Sequence, residues 1–288
     1  LPQLLMFPVF LFGLYLLLKS PRLRDFRFAG LILVVLHPVV FRTFSQARGY
    51  ALAVTSMAWA LVFALYFTDG HRRRYLVASL GCGVVSALAL FSFVHFLGAL
   101  TAVLGFYQPW LYWPELSEFK VGRLAGKGLF LPELGVLLVA VLYLRPVGSR
   151  VAGYDLDIPG ASSLVFGTGG SMLTDMVGLH VWPALVATGL KLFIAAAFYV
   201  LLAGTIWYAT REKFRPGRRM LLVGGVALAE CGMMYGLYLT KGVPLPMRRA
   251  VVFLAIQIIV LAAITLDRVP LRPLKVMGVA LVVLLGIN

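Results

Sequence analysis

Apolar residues in this chain come in long runs broken by short basic stretches, not at alternate positions. A helix needs about 20 apolar residues to cross a hydrocarbon core roughly 30 Å thick. Ten runs approach that length: 1–18, 27–41, 50–68, 76–92, 94–110, 129–144, 186–208, 219–239, 249–267 and 273–287. The pattern predicts an all-α fold, a polytopic transmembrane helical bundle of about ten spans. Strands of a membrane barrel would alternate apolar and polar positions, which these runs do not. The stretch 75–106 holds no Lys, Arg, Asp or Glu and is too long for one span, so a break is expected near Ser92–His95.

Charge then orients the spans. The basic residues other than Lys191 fall in, or at the edges of, the stretches between runs, on alternating sides. One side receives Lys19, Arg22, Arg24 and Arg27; Arg72, Arg73 and Arg74; Lys120, Arg123 and Lys127; Arg211, Lys213, Arg215, Arg218 and Arg219; and Arg268, Arg272 and Lys275. The other side receives only Arg42, Arg48, Arg145, Arg150, Lys241, Arg248 and Arg249. Cytoplasmic loops carry the excess of Lys and Arg, so the first side is expected to be cytoplasmic. The largest outer loop is then 145–185, whose glycine-rich centre (Gly167, Gly169, Gly170) suggests irregular or re-entrant backbone. The stretch 115–127 reads as a basic loop or an interfacial helix. Tyr107, Trp110, Tyr112 and Trp113 read as an aromatic belt at the headgroups.

Composition agrees. Hydrophobic residues make up 61% of the 288 and charged residues 13%, with mean hydropathy +0.94. A soluble domain is about half apolar and a quarter charged. The net charge of +15 would suggest nucleic acid in a soluble protein; here the loop bias accounts for it, and no nucleic-acid partner is expected. Cys82 and Cys231 lie within apolar runs and read as small packing residues, not as a disulfide or zinc site. A bacterial inner-membrane location is expected for a chain rich in Arg and Ala whose single asparagine, Asn288, forms no glycosylation sequon.

Candidate chemistry lies in the outer loops and inside the spans. An arginine at a cavity mouth holds a phosphate through a planar fork. Two outer clusters qualify: Arg42 and Arg48 with Tyr50, and Lys241 with Arg248 and Arg249. The competing reading is an arginine reaching to lipid headgroups. His95, at the expected break, is a candidate polar lining of a cavity. Glu230 sits mid-run in VALAECGMMYG, with Lys191 as a candidate partner or with a proton of its own. Asp155 and Asp157 flank Leu156 and are the one place where a divalent metal is considered; no other cofactor is indicated. No GxSxG, HExxH, Walker loop or CxxC pair occurs.

The stretch LHPVVFRTFSQARGYAL from Leu36 to Leu52 carries a resemblance. Pro38, Ser45-Gln46-Ala47-Arg48 and Tyr50-Ala51-Leu52 resemble a short turn between two spans in GT-C superfamily membrane glycosyltransferases. The likeness is to family 39, similar to dolichyl-phosphate-mannose protein mannosyltransferases. SQAR stands where that pattern has SQEAR. Weaker likenesses follow at Leu1-Pro2 with Phe12-Gly13, at Phe93-Val94-His95, and at Leu245 to Ala250.

The resemblance implies an inverting transfer of a sugar from a polyprenyl-phosphate carrier to a lipid, glycan or protein acceptor at the outer face. It implies Arg48 and Tyr50 at the leaving phosphate, with Arg248, Arg249 and His95 as further binding residues. It places the catalytic carboxylate in an outer loop upstream of Leu1, so no residue here is assigned that role. The whole chain, 1–288, is then expected to be one transmembrane domain, the C-terminal body of a longer protein. The alternative is a transporter or flippase of a lipid-linked substrate; no internal repeat between the halves favours it.

Overall fold

The structure is a computed structural model that describes residues 2–19, 49–111 and 218–241, together with positions 44, 135, 136, 253, 254, 256, 257, 260, 261 and 264. The described part is all helical. Five α-helices are bounded: α1 (Pro2–Leu18), α2 (Tyr50–Gly70), α3 (Arg73–Ala89), α4 (Val94–Leu111) and α5 (Arg218–Lys241). A 3-10 turn, Phe91–Phe93, joins α3 to α4. The described positions from Phe253 to Ile264 are helical as well. Among the described residues two segments are long and apolar enough to cross a membrane, Tyr50–Gly70 and Leu221–Thr240. At 1.5 Å per residue each is roughly 30 Å long.

Helix α2 is the centre of the packing. Alanines at 51, 53, 58, 60 and 64 are buried along it and let neighbours approach closely. Helix α1 runs parallel to α2. Thr55 Oγ1 donates to the carbonyl of Met6 (3.4 Å) and Trp59 Nε1 to that of Val9 (3.1 Å), on either side of Pro8. Helix α3 returns antiparallel, held by two buried hydroxyls. Ser79 Oγ donates to Ala60 O (2.8 Å) and Ser86 Oγ to Ala53 O (2.7 Å). Small hydroxyl residues of this kind bind apolar helices to one another without unpaired polar groups.

Helix α4 is again parallel to α2, with Tyr107 against Phe67 (ring centroids 6.2 Å apart). Helix α5 runs antiparallel to α4. A side chain at Gly98 would meet Met233, and one at Gly225 would touch Val103. The Phe253–Ile264 positions run antiparallel to α5, since Gln257 meets Glu230 and Leu261 meets Gly224.

These senses define two ends. The first collects the start of α2 at Tyr50, the Leu90–Phe93 connection, the start of α4 and the last turn of α5 at Lys241. The second collects Lys19, the Gly70–Arg72 turn, the last turn of α4 and the start of α5 at Arg218.

The break between α3 and α4 falls at Leu90, which is extended (φ −151°, ψ 116°), and not at Ser92–His95 itself. At the second end α2 reaches Gly70 and α3 begins at Arg73, so both are longer at that end than their apolar runs. His71 closes the turn in the left-handed region (φ 52°), its N–H donating to Phe67 O (2.7 Å). Tyr107 is half-buried here. Its hydroxyl donates to Thr68 O (3.2 Å) and its ring stacks on His71. It packs the end of α2. Cys82 and Cys231 are both free thiols, half-buried.

Candidate functional site

The first end is where sequence candidates converge. Tyr50 opens α2 and is half-buried. The preceding Gly49 is pressed onto the end of α3: a Cβ there would overlap the carbonyl oxygen of Ala89 and lie 3.1 Å from its carbon. Backbone meets backbone at this point, so only glycine fits. On the other flank, Phe44 is buried between Phe7 (5.0 Å, edge to face) and Phe10 (5.2 Å) of α1. The Ser45–Arg48 motif therefore lies between two anchored positions, one on α1 and one on α3. Arg48 itself lies outside the described residues, as does Arg42.

The α3–α4 connection faces the same end. His95, half-buried in the first turn of α4, donates from Nδ1 to Ser92 O (3.3 Å). That bond leaves Nε2 of the neutral ring as an acceptor. Ser92 Oγ is shielded from solvent and has no hydrogen-bond partner among the described residues. An unpaired buried hydroxyl costs about 1–3 kcal/mol. Ser92 thus joins His95 as a polar group with unused capacity; in sequence its only signal is its place in an uncharged run. Phe93 below it packs edge to face on Phe253 (5.3 Å).

Arg248 and Arg249 lie outside the described residues, but their flanks do not. Lys241 ends α5 at the first end, and Phe253 meets Phe93 there. The candidate segments around Arg48, His95 and Arg248–Arg249 are thus flanked by chain that arrives at one end. The Asp155–Asp157 pair, Lys191, the 115–127 stretch and the 145–185 loop all lie outside the described residues. Among the described residues no three His, Cys, Asp or Glu gather as a metal site would need.

A second polar locus lies inside the bundle. Glu230, midway along α5, is 0% exposed, and so is Gln257. Gln257 Nε2 donates to Glu230 Oε1 at 2.7 Å. The glutamine was not singled out in sequence, where it is one amide in the run FLAIQIIV. The second end differs in kind. Arg72, Arg73 and Arg74 are exposed, and the Arg74 guanidinium lies over the Tyr75 ring, 4.9 Å from its centroid.

Comparison with protein-family models, with curated proteins and with solved structures finds no match for this chain.

Proposed function

We propose that this chain is an integral, multi-pass membrane protein of about ten spans, with a GT-C-like bundle. In this reading it transfers a sugar from a polyprenyl-phosphate carrier to an acceptor at the outer face of a bacterial plasma membrane. The observation that carries the proposal is the anchoring of the described positions that flank Ser45–Arg48. Phe44 is fixed on α1, Gly49 on α3, and the polar His95–Ser92 connection sits at the same end. The helix senses support the topology. Lys19, Arg72–Arg74 and Arg218 fall at one end, as the charge bias requires of a cytoplasmic side, while Tyr50, His95 and Lys241 fall at the other.

In this reading Arg48 offers a bidentate fork to the carrier phosphate and stabilises the charge that develops as it leaves. Tyr50 donates a hydrogen bond beside it. His95 and Ser92 line the same cavity, and Arg248 and Arg249 bind the carrier from the late spans. The inverting displacement also needs a carboxylate base to activate the acceptor, and no residue of this chain is assigned to it.

The test is transfer of a labelled sugar from a polyprenyl-phosphate donor by the full-length protein in proteoliposomes. Arg48→Ala should abolish transfer while size-exclusion behaviour and helicity stay unchanged. Full activity of that variant removes Arg48 from the site. Movement of the lipid donor across the bilayer without any transfer would replace the enzyme with a flippase.

A further inference from the structure

The pair formed by Glu230 and Gln257 is half satisfied. Gln257 Nε2 donates to Glu230 Oε1, but Glu230 Oε2 and Gln257 Oε1 have no partner among the described residues. Both side chains are fully buried. Both orphaned atoms are acceptors, and the Gln257 N–H that meets the carboxylate is already given to Oε1.

One proton resolves both deficits. Placed on Glu230 Oε2, it makes that oxygen a donor to Gln257 Oε1, while the existing Nε2–H bond to Oε1 of Glu230 stays. The acid and the amide then close a ring of two hydrogen bonds. A bare metal cation would also satisfy two oxygens, but a monovalent or divalent ion asks for more oxygen ligands than this pair supplies.

Among the described residues the neighbours add no counter-charge. On α5 the adjacent titratable group is Cys231, half-buried. Helix α4 brings His95, which is engaged with Ser92 O, and Tyr107 near its far end; α2 brings Tyr50, Tyr66 and, near its far end, Asp69. The stretch from Phe253 to Ile264 contains no charged residue.

We propose that Glu230 and Gln257 form a proton-binding site in the interior of the bundle, an acid–amide clasp that joins α5 to the Phe253–Ile264 positions. The clasp ties together the two segments that flank Arg248 and Arg249. It does not depend on the chain being a glycosyltransferase.

Infrared difference spectroscopy on the full chain in lipid nanodiscs at neutral pH tests it. Wild type minus Glu230→Gln should give a protonated-carboxyl C=O band that shifts down in D2O. Loss of a carboxylate band in its place overturns the proposal. Gln257→Leu should keep the acid band and move it to higher frequency, because the acid C=O loses its amide donor. An unmoved band overturns Gln257 as the partner, and this variant carries the test if Glu230→Gln does not fold. Thermal stability in sodium chloride against choline chloride separates the occupants. Equal Tm values support the proton, and a sodium-dependent rise lost in Glu230→Gln overturns it in favour of a cation.

Discussion

The two ends of the helix bundle solve the same problem differently. At the second end the chain reverses between α2 and α3 within two residues and satisfies its own backbone. His71 donates to Phe67, Tyr107 covers Thr68 O, and the arginines stay exposed. At the first end the α3–α4 connection takes four residues and leaves capacity unused: Ser92 Oγ is unpaired and His95 keeps a free acceptor in its Nδ1–H form. The first end is also the more constrained in space, because Gly49 touches the Ala89 backbone. A turn that only links helices spends its polar groups on itself. An end that keeps them unspent beside a rigid glycine contact has the features of a binding site.

The largest effect that would break this comparison is steric. Gly49→Ala forces a Cβ into the Ala89 carbonyl, which no rotamer change relieves. It should cost about 3 kcal/mol, read as a fall in Tm, and should lower transfer even where the protein still folds. Wild-type stability would mean that the two helix ends are not locked together.

Next in size, Ser86→Ala removes a buried hydroxyl already bonded to Ala53 O and should cost about 1 kcal/mol. Ser92→Ala removes a buried hydroxyl with no partner among the described residues, so stability should rise by about 1–3 kcal/mol while the KM for a lipid-phosphate donor rises. Equal stability losses from the two serines would erase the contrast between a structural and an unspent hydroxyl. The smallest effect belongs to the second end. His71→Gly relieves a left-handed residue and should raise stability by up to about 1 kcal/mol, offset by the lost stack on Tyr107. A clear loss would make that stack the more important contribution.

Among the described residues the helical layout is legible because long apolar runs leave few other choices. The runs 1–18, 50–68, 94–110 and 219–239 differ from α1, α2, α4 and α5 by at most two residues at either end. Helix α3 was read three residues late at both ends. The arginines at 73 and 74 are good helix formers that an apolar count ignores. Its far end is set by the extended backbone of Leu90, whereas the eye goes to the polar Ser92. The anchoring of the candidate turn was only half visible. Gly49 could be read as a turn residue, but its contact with Ala89 depends on where α3 stops. Phe44 gave no sign of bridging to Phe7 and Phe10. The partner of Glu230 was hidden for a different reason. A charged partner such as Lys191 is the natural candidate for a buried carboxylate, while a lone amide in an apolar run carries no charge signal. Lys191 lies outside the described residues, and the group found against Glu230 is Gln257.

The spacing of that pair has a consequence for biogenesis. Glu230 and Gln257 stand 27 positions apart, and synthesis at about 5–20 residues per second separates their emergence by roughly 1–5 s. For that interval the nascent α5 carries a carboxyl group without its amide. A translocation channel that partitions segments one at a time would meet the least favourable residue of α5 before its complement exists. The two helices therefore have reason to leave the channel as a pair, and a released chain cut between Lys241 and Phe253 should leave α5 poorly inserted.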